Sequence, residues 1–191
     1  MKISKFGYLV ALVLAGSVVA VQAGEGGFTG NIDLLVGQKS LKSGDWEPAE
    51  KQTAFGIQAD GKMSSWPISI AVGYTKTEGD GDDEDGDMFE SRTTELDLGI
   101  KYIFEKSETV KPFIGGGVTQ IKGEAEYPLL GLSTDDTGNG YWVSGGLRWV
   151  LAQHLNLGAQ VKYASAKADF DTGEDVELGG TTLAVLIGYH F

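Results

Sequence analysis

A period of two runs through most of the chain, and it limits what the chain can fold into more than any other feature. At the C-terminus Leu183, Val185, Ile187, Tyr189 and Phe191 fall on one face of an extended backbone, and Thr182, Ala184, Leu186, Gly188 and His190 fall on the other. Successive side chains of a strand point to opposite faces, so this is strand periodicity. The same alternation sets Phe28, Ile32, Leu34 and Val36 against Thr29, Asn31 and Asp33, and Phe55, Ile57 and Ala59 against Gly56, Gln58 and Asp60. It recurs with Ile68, Ile70, Val72 and Tyr74, with Leu96, Leu98, Ile100, Tyr102 and Phe104, with Tyr141, Val143, Leu147 and Trp149, and with Leu155, Leu157, Val161 and Tyr163. An eighth segment, Lys111 to Lys122, carries the run Gly115, Gly116 and Gly117, which blurs its facing and suggests a bulge.

Eight strands is an even number, and the gaps between them alternate in length. Those near 60–67, 105–110 and 152–154 are short, and those near 38–50, 76–90, 124–139 and 167–180 are long. Short turns at one end and long loops at the other are the layout of a transmembrane β-barrel. Each segment also approaches the ~9–11 residues that a tilted strand needs to cross a bilayer.

Charge is segregated by face. The apolar faces carry no Asp, Glu, Lys or Arg, whereas the opposite faces carry Asp33, Asp60, Glu95, Asp97, Lys101, Arg148 and Lys162. A charge on the lipid face near the bilayer midplane costs roughly 2–4 kcal/mol, so this segregation is what a membrane demands. Aromatic residues gather at strand ends. Tyr102, Phe104, Phe113, Trp149, Tyr189 and Phe191 lie at the short-turn end, and Tyr74, Tyr141 and Tyr163 near the long-loop end, as interfacial girdles. The competing architecture is an exported soluble barrel with the same apolar faces turned inward around a ligand cavity. The terminal aromatic, the girdles and the inner charges of mixed sign favour lipid outside.

Residues 1–23 read as a secretory signal peptide: Lys2 and Lys5 precede an uncharged run from Tyr8 to Val21, and Val21, Gln22 and Ala23 form a small-residue cleavage site. The barrel is then expected over 24–191. Loss of the two lysines takes the 15 basic residues to 13 against 27 acidic ones, a net charge of −14. Such a chain has no basic footprint for nucleic acid. With no cysteine it has no disulfide, no thiolate metal site and no cysteine nucleophile.

The terminal strand, ending Ile187, Gly188, Tyr189, His190 and Phe191, resembles the assembly signal of bacterial outer-membrane barrels. The segment Lys111, Pro112, Phe113, Ile114, Gly115, Gly116 and Gly117 is similar to strand openings common in that family. In size and layout residues 27–191 resemble the small eight-stranded OmpA/OmpX-type barrels. The resemblance implies an all-β, eight-stranded antiparallel up-and-down transmembrane barrel in the bacterial outer membrane, reached through the periplasm. It implies lipid and lipopolysaccharide around the barrel. It also implies recognition of Ile187, Tyr189 and Phe191 by the barrel-assembly machinery.

An eight-stranded barrel is just wide enough for side chains to fill it. Asp33, Glu95 and Asp97 are therefore expected to pair inside with Lys101, Arg148 and Lys162. Such a plug holds the barrel rigid; opened, it would be a narrow ion path. The segment 78–90 holds eight carboxylates in thirteen residues and no base. Asp80, Asp82, Asp83, Asp85 and Asp87 are weak candidates for divalent cations, which prefer such oxygens, but an EF-hand's Gly and Glu are not at the required sixth and twelfth positions. A solvated acidic loop is the simpler reading. The two histidines, His154 and His190, both fall at the short-turn end, so a Ser/His/acid triad at the outer surface lacks its base. No cofactor and no catalysis are expected. Trp46, Phe89, Tyr127, Leu129, Leu130 and Leu132 are apolar residues in loop settings, suited either to a partner or to packing among the loops. The expectation is a monomeric structural or surface-interaction barrel with acidic outer loops and a polar filled lumen. The alternative is a small-solute or ion channel.

Overall fold

The computed structural model describes residues 27–42, 51–82, 88–107, 109–127, 132–151, 154–169 and 175–191. The signal segment at 1–23 lies outside them. The strands are β1 (Phe28–Leu41), β2 (Lys51–Met63), β3 (Ser69–Asp82), β4 (Met88–Ile103), β5 (Val110–Tyr127), β6 (Leu132–Leu151), β7 (Leu155–Asp169), β8 (Asp175–Glu177) and β9 (Gly180–His190). Every pairing is antiparallel. The order is β6-β5-β4-β3-β2-β1-β9-β7, and a β6–β7 ladder closes the ring. The three-residue β8 adds only a short ladder to β7. Eight long strands thus form a closed barrel with no lateral edge, the condition for crossing a bilayer with strands.

Facing follows the alternation. Leu183 and Val185 are each 63% exposed, Phe55 58% and Ile114 56%, all on the outside, whereas Asp33, Glu95, Lys39 and Arg148 are at most 1% exposed. The inward-apolar alternative is therefore excluded by the facing. On β7 the outer face is apolar from Leu155 to Tyr163. That is roughly 27 Å at about 3.4 Å per residue, and a tilt of about 40° reduces it to roughly 21 Å, close to the ~25 Å apolar band of outer-membrane barrels. Above this belt the outer positions turn polar in register around the wall. Gln38 opposes Thr53, Lys76 opposes Thr94, and Gln120 opposes Asn139.

Three expectations about the wall need correction. The glycine run in β5 hides no bulge: Gly115, Gly116 and Gly117 pair one-to-one with Lys101, Ile100 and Gly99. Inward-facing glycines of the wall make room for interior side chains: a Cβ on Gly115 would come within 2.7 Å of the Lys101 side chain. A Cβ on Gly99 would come within 2.7 Å of the Trp142 ring, and one on Gly146 within 2.6 Å of the Phe113 ring. Phe113 is thus not a girdle residue. It points inward, 1% exposed, with Lys101 Nζ 5.1 Å and the Arg148 guanidinium 5.4 Å from its ring centroid. Tyr102, Trp149 and Tyr189 do face outward.

The third correction concerns the long gaps. The β3–β4 ladder continues to the pair Asp82 and Met88, and the β5–β6 ladder to Tyr127 and Leu132. Strand backbone persists there because each strand still has a partner, and charged side chains on the outer face meet water once past the belt. The wall is uneven as a result. Beyond Gln120, β5 rises seven more residues, roughly 24 Å, whereas β1 ends three residues past Gln38, roughly 10 Å.

Candidate functional site in the lumen

Eight charged side chains are buried among the described residues, and they form two groups of four, each with two acids and two bases. Nearer the short turns, Arg148 on β6 donates through Nη2 to Asp33 of β1 at 2.5 Å and to Asp60 of β2 at 2.9 Å. Lys101 of β4 lies 3.8 Å from Asp60. Amides complete this layer: Asn31 donates to Asp60 at 2.8 Å, Gln58 to Asp33 at 3.3 Å, and Asn156 to Asn31 at 2.8 Å. Nearer the long loops, Lys162 of β7 bridges Glu95 and Asp97 of β4, each at 2.8 Å, and Lys39 of β1 meets Glu95 at 3.2 Å. Above these lies an uncharged layer. Lys39 also donates to Thr93, Thr77 and Thr93 share a hydrogen bond of 2.6 Å, Thr77 donates to Gln52, and Gln52 donates to Ser91 at 2.8 Å.

The six residues singled out from sequence, Asp33, Glu95, Asp97, Lys101, Arg148 and Lys162, are thus brought into the lumen in two groups rather than one. Lys39 and Asp60 complete the groups. Lys39 stands in phase with Asp33 on β1, so its parity marks it as inward once the strand is extended past Val36. Burying charges is expensive unless each is paired and hydrogen-bonded, and neutrality within each group meets the demand for pairing locally. The lumen is not wholly polar. Leu35, Ala54, Phe113, Ala184 and Leu186 pack together inside it.

Beyond the belt the outer face of the tall wall carries an ion ladder. Glu78 of β3 accepts from Arg92 of β4 at 3.0 Å, Arg92 lies 3.8 Å from Glu124 of β5, and Lys122 of β5 meets Glu124 at 2.6 Å and Asp135 of β6 at 3.2 Å. Its side chains are between 39% and 67% exposed, so each pair contributes little to stability. Glu124 and Asp135 beside Lys122 hold its ammonium above the ordinary value, mainly through the Glu124 hydrogen bond.

Of the weak cation candidates, Asp80 and Asp82 end β3, and Asp83, Asp85 and Asp87 lie outside the described residues. Among the described residues no group of three or more His, Asp or Glu is arranged to hold a metal ion. Trp46, Leu129 and Leu130 also lie outside the described residues. Both histidines sit at the short-turn end in structural contacts. His154 stacks on Tyr189 with centroids 5.1 Å apart, its Nδ1 3.0 Å from the His190 carbonyl, and His190 Nδ1 lies 2.9 Å from Asn31 Oδ1. Ile187 and Tyr189 face outward, and the Phe191 ring stacks on Phe28 at 5.9 Å.

A closed eight-stranded barrel with lipid-facing apolar residues narrows the choice of family, and the comparison of the sequence with family models decides it. The model described as the outer membrane protein beta-barrel domain matches residues 9–191. The chain belongs to the outer membrane protein β-barrel family. No curated protein sequence matches it. Among solved barrels it is similar to Neisserial surface protein A, with a TM-score of 0.62, 18% identity, and coverage of 86% of this chain and 97% of that one. It is similar also to Ail, the attachment invasion locus protein of Yersinia pestis, in complex with the heparin analogue sucrose octasulfate (TM-score 0.61, 13% identity, coverage 86% and 99%). The N-terminal β-barrel domain of OprF from Pseudomonas aeruginosa matches with a TM-score of 0.53, 10% identity, and coverage of 85% and 97%. At these identities the likeness is one of fold. As a member of the outer membrane protein β-barrel family, the chain resides in the bacterial outer membrane. In outer-membrane barrels short turns face the periplasm and longer loops the medium.

Proposed function

We propose that this barrel works at the cell surface, through what its tall outer wall and acidic loops touch, rather than by passing solutes. The observation that carries this reading is the pair of neutral charge groups filling the lumen. An ion would have to break both, and each broken pair leaves a buried charge uncompensated at a cost of about 3–5 kcal/mol. With transport disfavoured, the remaining chemistry lies outside. The wall built by β3 to β6 extends past the belt, and its stretch 78–90 carries eight carboxylates. Such a surface suits a basic or neutral partner or a bridging divalent cation. Ail was crystallised with a polyanionic heparin analogue. A barrel whose net charge is −14 without residues 1–23 repels that class of ligand. The protein is not proposed to be an enzyme.

The barrel interior would then serve rigidity. Single-channel recording of the chain in planar bilayers tests the reading, with heat-modifiable gel mobility confirming that the barrel has formed. A folded but silent barrel is expected. Steady cation-selective conductance would sink the surface reading and make the chain a small-ion channel lined by Asp33, Glu95 and Asp97.

A further inference from the structure

Between the two charge groups lies a cavity of about 20 Å³, where one enclosed water needs about 10–15 Å³. Its lining includes Asp97 and Lys101 of β4, Trp142 and Ser144 of β6, and Gln160 of β7. On each of these five residues one buried polar atom has no hydrogen-bond partner in the protein: Asp97 Oδ1, Lys101 Nζ, Trp142 Nε1, Ser144 Oγ and Gln160 Oε1. All but Ser144 are at most 6% exposed. Buried polar groups are normally paired, and leaving one unpaired costs about 1–3 kcal/mol. Five such atoms around one small space are not a packing accident.

The chemistry of the five identifies the occupant. Lys101 and Trp142 can only donate, Asp97 Oδ1 and Gln160 Oε1 can only accept, and the Ser144 hydroxyl does either. A bare cation is opposed by the ammonium and the indole N–H. An anion is opposed by the carboxylate and the amide oxygen. Ammonium has no acceptor to offer the two donors. Water, with two donors and two acceptors, complements all of them. We infer that the lumen contains a built water site, holding one or two long-lived waters that hydrogen-bond the Lys101 group to the Asp97 group. The site stands independently of what the outer surface binds. Its waters are enclosed by the charge groups above and below, so they exchange slowly with the medium.

Trp142 is the natural reporter. The chain has four tryptophans, and loss of one indole signal in Trp142→Phe assigns its N–H in a tryptophan-labelled sample recovered from the outer membrane. The expected result is a dipolar cross-peak between that proton and the water resonance, with deuterium exchange slower by about tenfold or more than at the exposed Trp66. In Gln160→Leu, which removes one acceptor, the cross-peak should fall several-fold. Absence of the cross-peak in the unmodified chain, meaning a dry cavity, overturns the inference. So does exchange as fast as at Trp66, which would mean a lumen continuous with the medium, and so does a cross-peak unchanged in Gln160→Leu. Conductance decides the functional reading separately, since a silent barrel with a dry cavity would sink only the water site.

Discussion

Arg148 and Asp33 meet across the lumen at 2.5 Å although 115 residues separate them in sequence. Asp60 shares the same guanidinium nitrogen, so one base holds three strands, β1, β2 and β6, at a common height. Arg148→Met leaves two buried carboxylates facing one distant lysine. It should destabilise the folded barrel by about 3–5 kcal/mol, measured by urea unfolding in detergent micelles. The double variant that adds Asp33→Asn should recover much of that loss, because Asp60 and Lys101 then remain as a neutral pair. A single variant as stable as the parent would refute the pairing.

The lipid belt makes a position-dependent prediction. Val185 faces outward near the middle of β9's apolar run, and Thr181 lies at its polar boundary. Val185→Arg should cost roughly 2–4 kcal/mol in vesicles, and Thr181→Arg roughly 0–1 kcal/mol. Equal penalties would mean that the belt is misplaced.

The inward aromatics depend on glycine. A methyl group at Gly99 would stand 2.7 Å from the Trp142 ring and 2.3 Å from the Gly116 carbonyl oxygen. Gly99→Ala should therefore cost about 1–3 kcal/mol through overpacking, followed by tryptophan fluorescence during unfolding. Combining it with Trp142→Leu should give a smaller loss than the sum of the two single variants, since the ring is one of the three close obstacles.

The ion ladder should lose the contribution of Lys122 in strong alkali. The Lys122 ammonium is held above its ordinary value of 10.5 by Glu124 and Asp135. A group whose folded pKa is raised contributes fully below its unfolded value and loses that contribution as pH rises through the folded one. Lys122→Gln should thus be slightly destabilising from neutral pH up to about 10 and neutral in stronger alkali. At an exposure of 41% the effect should stay within about 1 kcal/mol and fade in high salt. A loss confined to acid pH would contradict this assignment.

The terminal residue separates assembly from stability. The Phe191 carbonyl accepts from Gly30 N and Thr29 Oγ1, both at 2.9 Å, contacts that survive removal of the ring. Phe191→Ala loses the stack on Phe28. It should lower in-vitro stability by about 0.5–1.5 kcal/mol yet reduce the amount reaching the outer membrane in cells far more. Normal accumulation in cells would remove Ile187, Tyr189 and Phe191 as an assembly signal.

How legible the barrel was in the sequence depends on the part considered. Its eight long strands and their facing follow from alternation, because lipid on one side and a narrow lumen on the other impose opposite chemistries on neighbouring residues. Leu183 and Thr182 state this without any partner being known. Where both faces become tolerant, the signal fades. Past the belt, Glu78 or Lys122 fits a strand as well as a loop, so the tall wall is visible only in the ladders. Phe113 misleads for a related reason. An aromatic near a strand end looks interfacial, and only the glycine opposite it on β6 tells that it turns inward. The pairing of interior charges depends on register and barrel shear, which link residues far apart in sequence. Alternation marks Lys39 as inward but does not tell that its acid is Glu95.

The cancellation of charge inside the lumen has an electrical consequence. Asp33, Asp60, Glu95 and Asp97 offset Lys39, Lys101, Arg148 and Lys162, so the chain's net charge of −12 resides entirely outside those buried groups. The membrane-embedded core is then nearly blind to ionic strength, while the rims gather a counterion cloud that thins and thickens with it over a Debye length of about 8 Å at 0.15 M salt. The salt in the surrounding medium, and above all its divalent fraction, therefore tunes how the protein presents itself to a neighbour without altering the barrel beneath.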